Sequence, residues 1–161
     1  MIRLCFVCLG NICRSPTAEG VMLHLLRQEG LQSQVQVESA GTAAYHCGER
    51  ADSRSRAAAR QRGVELPSRA CQFQASDFDR FDYVLCMDSS NLQNLAAQAK
   101  GNQRQKLHLL LDFDPNSPKG RNVPDPYYGG QHGFEEVLDL CFSACHHLLQ
   151  FIKQHHLVNQ D

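Results

Sequence analysis

The apolar run IRLCFV (2–7) is followed by CLGNIC, then by Arg14, Ser15 and Pro16. A run of that length with these residues reads as a buried strand. Ser15 suits a helix N-cap, and Pro16 suits the first helical position, where a missing N–H costs nothing. The spacing predicts a helix from Ser15 to about Glu29, with Ala18, Val21, Met22 and Leu25 on its apolar face and Gly30 closing it. A strand passing through a tight loop directly into a helix restricts the rest of the chain to elements that can join the same layered sheet.

The remaining elements fit that restriction. VQVESAGT (35–42) reads as a second strand and turn, and ADSRSRAAARQR (51–62) as a helix stopped by Gly63. FDYVLCM (81–87) reads as a third strand, Asp88–Ala99 as a helix, and KLHLLL (106–111) as a fourth strand. A long polar loop rich in Pro and Gly follows, and loops of that length in a compact domain are usually functional or disordered. The last helix begins near Phe134, with Phe134, Leu138, Cys141, Cys145, Leu148 and Ile152 along one face. Cys141 and Cys145 therefore read as packing residues and not as partners of His146 and His147 in a metal site. Strands alternating with helices predict an α/β fold, a parallel sheet with helices on both faces, in one domain over 1–161. Ligands of such sheets bind beyond the carboxyl ends of the strands, where Cys8 lies.

Charge narrows the partners. Sixteen basic residues against seventeen acidic ones give a net charge of −1, so nothing general draws this chain to nucleic acid or to an anionic membrane. The apolar N-terminus is short and runs into Asn11 and Arg14, which reads as a strand and not a signal peptide. The expectation is a cytoplasmic protein whose eight cysteines are free thiols. The five arginines from Arg50 to Arg62 read as a solvated helix face able to steer an anionic substrate. Cys71 and Cys86 read as core thiols.

The loop CLGNICRS (8–15) has the parts of an anion cradle. Successive backbone N–H groups of Leu9, Gly10, Asn11, Ile12 and Cys13 form a concavity, and the helix N-terminus behind them adds its positive dipole end. Gly10 allows close approach, and Asn11 tolerates a left-handed conformation while bracing the loop. Arg14 offers a planar fork for two phosphate oxygens. The same field favours a thiolate at Cys8, and Ser15 is placed to hydrogen-bond that sulfur. Together these suit attack by the Cys8 thiolate on phosphorus, with a cysteinyl-phosphate intermediate. The leaving group needs a proton, and VPDPYYGG (123–130) supplies Asp125 between two prolines, with Tyr127 and Tyr128 to shield it.

These segments resemble the low-molecular-weight protein tyrosine phosphatase family. VCLGNICRSPTAEG (7–20), SAGTAAYH (39–46), FDYVLCMDSSNL (81–92) and DPYYG (125–129) are similar to its motifs, in order, over nearly the whole chain. The resemblance implies a three-layer, flavodoxin-like fold with a four-stranded parallel sheet, and hydrolysis of aryl phosphates without metal or cofactor. It implies Cys8 as nucleophile, Arg14 as phosphate and transition-state ligand, and Asp125 as general acid and base. Asn11, Ser15 and Ser39 would brace the loop, and Tyr45, Tyr127 and Tyr128 would line the cleft. The expected partners are a phosphotyrosine protein or a small aryl phosphate, with the chain monomeric or weakly self-associating. Many members carry a histidine in the segment matching Pro67–Ala70; here it reads PSRA, with Ser68 as a partial substitute. Cys13 either packs under the loop or, as in similar enzymes, traps an oxidised Cys8 as a disulfide.

Two other readings stand beside this one. A thioredoxin-coupled arsenate reductase shares the loop but needs a relay of further cysteines, for which Cys71 and Cys86 are the mid-chain choices. A phosphotyrosine-binding module without catalysis would be expected to lose Cys8 or Asp125.

Overall fold

The computed structural model describes residues 1–157. Four parallel strands form one sheet in the order β2-β1-β3-β4, with β1 at Ile2–Cys8, β2 at Val35–Gly41, β3 at Tyr83–Cys86 and β4 at Leu107–Leu109. The helices are α1 (Arg14–Gln28), α2 (Ser53–Arg60), α3 (Ser89–Gln98) and α4 (Gln131–Ile152). The expected sheet with helices on both faces is what the chain forms.

β1 shows why the sheet has two covered faces. Its side chains alternate with the period of two of a pleated strand. Leu4, Phe6 and Cys8 join the core that includes Met22 and Leu26 of α1 and Leu138 and Leu148 of α4. Cys5 and Val7 join the opposite core, with Phe73, Phe78, Phe81 and Leu95 of α3. Both sets are buried, which is why β1 reads as an unbroken apolar run and not an alternating one. Each large side chain so buried contributes roughly 1.5–3 kcal/mol. The α1–α4 contact lies on the first face, where Cys145 Sγ donates to the Ala18 carbonyl at 3.7 Å. Arg62, just beyond α2, donates to Glu135 and Asp139 of α4 at 2.7 Å each, so the expected solvated arginine face has one member tied to a neighbouring helix.

Several boundaries differ from the sequence reading, each for a local reason. α1 begins at Arg14, so Ser15 lies inside its first turn and does not cap it. α2 is shorter than 51–62 because Asp52 caps it, its carboxylate accepting from the Arg54 N–H at 2.8 Å. β4 ends at Leu109 because Leu110–Phe113 turn into a 3-10 helix that still buries Leu110 and Leu111. β3 is only Tyr83–Cys86, flanked by Phe81 and Met87, which are buried without being strand. α4 starts at Gln131, three residues before Phe134. Gly30 closes α1 at φ +68°, as expected. Among the described residues, no helix is long and apolar enough to cross a membrane.

Candidate active site

The carboxyl edge of the sheet converges at the end of β1. Residues 9–13 curl from Cys8 into the N-terminus of α1, and Asn11 takes φ +58°, the left-handed conformation that asparagine tolerates better than most residues. The curl turns the Asn11 N–H back onto Cys8 Sγ at 3.2 Å, while Ser15 Oγ lies 3.0 Å from the same sulfur. A thiolate there would be held by two donors at the positive end of a 15-residue helix.

A buried network fixes this curl. The Cys71 N–H donates to Asn11 Oδ1 at 3.0 Å, which turns the Asn11 amide nitrogen toward Ser15 Oγ (2.8 Å) and Ser39 Oγ (3.0 Å). Ser39 in turn donates to Glu19 Oε1 at 2.6 Å, and Ser68 donates to the same oxygen at 2.7 Å. Because Ser15 Oγ accepts from Asn11, its own proton is free for Cys8 Sγ, nearer than the alternative Ala40 carbonyl at 3.4 Å. Burial pushes the Glu19 carboxyl up, against the two serine hydroxyls that favour its charged form. Ser68 therefore supports the loop at one remove, through Glu19 and Ser39, and does not reach Asn11 directly. Glu19 was not among the residues the sequence singled out; an acidic side chain facing inward from an apolar helix face was its only signal.

Arg14 is held from both sides. Its Nη1 donates to Asp88 Oδ2 at 2.6 Å and to the Val123 carbonyl at 3.0 Å, and its Nη2 lies 3.6 Å from Asp125 Oδ2. Burial opposes its charge, but Cys8, Asp88 and Asp125 outweigh that and hold the guanidinium above its ordinary range. Asp88, read from the sequence only as a helix start, stands two residues beyond the end of β3, at the same edge of the sheet as Cys8. The rule that ligands sit past strand ends points to this edge of the sheet but not to the pairing of Asp88 with Arg14.

The cleft over this floor has a volume of about 210 Å³ and is lined by Cys8, Leu9, Gly10, Ile12, Cys13, Arg14, Tyr45, His46, Asp125, Tyr127 and Tyr128. Thus Asp125 meets Cys8 and Arg14 in one place, although more than a hundred residues separate it from them. Asn11, Ser15 and Ser39 lie beneath the cleft as its support and do not line it. Tyr45 (77% exposed) and Tyr128 (93% exposed) stand at the rim. Tyr127 faces the cleft with His46, ring centroids 6.2 Å apart, and with the Arg54 guanidinium 5.4 Å from its ring. His46 was missed by the sequence reading. Its ring also crowds Gly10, where a Cβ would meet His46 Cδ2 at 3.1 Å.

The expected shielding of Asp125 by tyrosines is not found. Its side chain is 42% exposed, and its Oδ1 is occupied by the Tyr127 N–H at 3.0 Å, so the Pro-Asp-Pro turn and not an aromatic cover fixes it. The eight cysteines are all free thiols. Burial and the Asp52 carboxylate push Cys13 up to about 12, so this neighbour of Cys8 stays protonated at neutral pH. Cys71 is exposed, contrary to the core reading, although its N–H donates to the buried Asn11 Oδ1 and its carbonyl accepts from the Gly41 N–H. Cys86 is wholly buried in β3, so Cys71 and Cys86 do not form an accessible relay pair. Among the described residues, no group of histidine, cysteine and carboxylate side chains is gathered to hold a metal.

Comparison with known proteins gives a consistent family. The sequence profile described as "Low molecular weight phosphotyrosine protein phosphatase" matches residues 3–158. A putative low molecular weight protein-tyrosine-phosphatase of Synechocystis is 45% identical over 149 residues, covering 92% of this chain and 94% of its own. The low molecular weight phosphotyrosine protein phosphatase of Homo sapiens is 40% identical, covering 90% and 92% respectively. The crystal structure of a protein tyrosine phosphatase from Entamoeba histolytica with Hepes in its active site superposes with a TM-score of 0.92 at 40% identity, over 96% of this chain and 98% of that one.

Proposed function

The chain belongs to the low molecular weight phosphotyrosine protein phosphatase family, and from that premise we propose that it hydrolyses phosphotyrosine esters through a phosphorylated Cys8. The substrate phosphate sits in the cradle of N–H groups from residues 9–13, with two oxygens on the Arg14 fork. The Cys8 thiolate attacks phosphorus as the phenolic oxygen leaves, and Asp125 gives that oxygen its proton. Asp125 then takes a proton from the water that attacks the cysteinyl-phosphate, and phosphate and the thiolate are regenerated. Ser15, oriented by Asn11, supports the sulfur as a leaving group in this second step.

The observation that carries this reading is the meeting of Cys8, Arg14 and Asp125 in one cleft, with two donors aimed at the sulfur. Selectivity for an aryl ester follows from depth. Cys8 is 3% exposed at the floor, and the rim is set by Tyr45, Tyr127 and Tyr128, so a phosphotyrosine side chain spans the distance between aromatic walls. The family's protein tyrosine phosphatase relatives act within the same class. The single domain over residues 1–161 carries every group the reaction needs, without metal or cofactor.

The test is turnover of para-nitrophenyl phosphate without added metal by wild type, Cys8→Ser and Asp125→Ala. Wild type should be active and Cys8→Ser inactive, while Asp125→Ala should lose roughly 10²–10⁴-fold. Full activity in Cys8→Ser would refute the covalent route. Reduction of arsenate with thioredoxin, in a protein that leaves the ester intact, would refute the hydrolase assignment and the role of Asp125.

A further inference from the structure

Between residues 44 and 72 the chain places six arginines against three carboxylates, although its total charge is nearly balanced. Two of those carboxylates are engaged, Glu49 by His46 and Asp52 by Arg54. The arginines that pair with carboxylates are Arg14, Arg54, Arg62 and Arg80, so among the described residues Arg50 and Arg69 stand without such a partner, Glu65 included. No step proposed above uses these two side chains.

The fold sets Arg50 and Arg69 directly opposite one another, in an isolated antiparallel bridge. The hydrogen bond beside it runs from the Ala70 N–H to the Glu49 carbonyl at 2.8 Å, so the two arginines are a pair with no backbone hydrogen bond between them. Side chains of such a pair leave on the same face with Cβ atoms about 4.5–5.5 Å apart, and like charges there repel. Both arginines are exposed. Arg69 gives Nη1 to a neutral acceptor, the Gly48 carbonyl at 3.0 Å, and Arg50 makes no side-chain hydrogen bond among the described residues. Two planar forks with unused N–H groups and no counter-ion are thus held within reach of one carboxylate. They also stand near the cleft. Gly48 is two residues from His46, which lines the cleft wall. Two residues span at most about 7 Å, so the Arg69 guanidinium lies within roughly 12 Å of the His46 backbone, a distance that an extended peptide covers in about four residues.

We infer that Arg50 and Arg69 form a docking site for an acidic side chain, aspartate or glutamate, carried by the protein substrate within about four residues of its phosphotyrosine. The inference rests on the phosphatase reading above and adds the flanking chemistry of the substrate. A carboxylate between the two guanidinium groups offsets their repulsion. Exposed ion pairs are weak, so the preference is about two- to fivefold, part of it through faster encounter with an anionic peptide.

The test compares phosphotyrosine peptides that carry a single Glu, Ala or Lys at each of the four positions on either side of the phosphotyrosine. Each kcat/KM is divided by the same protein's value for para-nitrophenyl phosphate, which has no flanking residue. At its best position wild type should prefer Glu over Ala by about two- to fivefold, and Ala over Lys, with the preference shrinking as salt rises. Arg50→Gln, which breaks no hydrogen bond, and Arg69→Gln should each reduce the preference, and Arg50→Glu should turn it toward Lys. Arg104→Gln removes the same charge from the 3-10 turn at Gly101–Lys106, which leads into β4 at the sheet edge opposite β2, and should leave the preference unchanged. A flat series in wild type, a Glu preference that survives Arg50→Gln and Arg69→Gln together, or an equal loss in Arg104→Gln overturns the docking site while leaving the phosphatase reading intact. Failure to turn over para-nitrophenyl phosphate at all overturns that reading, and the docking site with it.

Discussion

Replacing Asn11 by glycine and by alanine separates two things this residue does. Its side chain makes three buried hydrogen bonds, to Ser15, Ser39 and the Cys71 N–H, and its backbone sits at φ +58°. Both variants lose the three bonds, at about 1 kcal/mol each, which predicts a loss of about 3 kcal/mol. They differ in the backbone. Alanine in the left-handed region costs ~1–2 kcal/mol, of which ~0.4–1 kcal/mol is offset because alanine restrains the unfolded chain more than glycine does. Asn11→Ala should therefore be about 4 kcal/mol less stable than wild type, and about 1 kcal/mol less stable than Asn11→Gly. Both fall within the stability of an ordinary domain, so both should fold. Urea titration at neutral pH reads the two differences. In parallel, kcat for para-nitrophenyl phosphate should fall in both, because Ser15 loses the donor that frees its proton for Cys8. A loss under about 1 kcal/mol in Asn11→Gly, or an Asn11→Ala more stable than Asn11→Gly, would refute the account of the network and of the strained backbone respectively.

Three further outcomes are expected. A Cβ at Gly20 would lie 2.5 Å from the Glu65 carbonyl oxygen and from Leu66 Cδ2, so Gly20→Ala should cost about 1–3 kcal/mol; thermal melting within a degree of wild type would contradict it. Arg62→Ala removes the link from the end of α2 to Glu135 and Asp139 of α4, but at partly exposed positions, so calorimetry should read a loss of no more than about 1 kcal/mol. Burial pushes Cys86 and Cys141 up to about 12. An unfolded thiol titrates near 8.5, so above roughly pH 9 the unfolded chain releases protons that the native chain keeps. The stabilisation from these two thiols is complete below that range and is lost as pH climbs toward 12, at up to about 1.4 kcal/mol per pH unit for each. Cys141→Ala should flatten the fall in urea midpoint between pH 8 and 10, and an unchanged slope would refute the assignment.

Most of the fold was legible because its signals are local. The apolar runs of β1 and β3, the four-three spacing along α4 and the positive-φ Gly30 each follow from a few adjacent residues. The errors are of a different kind. Leu110 and Leu111 look like strand by composition, yet a 3-10 turn buries them equally well, since burial and not strand geometry is what those side chains require. Ser15 looks like a cap, but its hydroxyl is taken by Asn11 and Cys8 instead. In the site, Cys8, Arg14 and Asp125 could be read from motifs, because the chemistry restricts their types and spacing. Asp88, Glu19 and His46 could not, because each is defined by a partner brought from another segment. Arg14 with Asp88, Ser39 with Glu19 and His46 beside Gly10 are contacts that no local pattern announces.

Those distant partners also set when in the life of the chain the reactive loop comes into being. The curl at residues 9–13 is encoded within the first fifteen residues, yet Asn11 waits for Cys71, and Arg14 waits for Asp88 and the Val123 carbonyl, separations of 60, 74 and 109 residues. A ribosome adding residues at about 5–20 per second therefore exposes Cys8 for several seconds or more before its bracing exists. Long-range closure of this kind is slow and comes late in folding. Cys8 is thus made first and its surroundings last. A nascent or misfolded chain carries the complete motif without a shaped loop around Cys8 until the far half of the protein has closed over it.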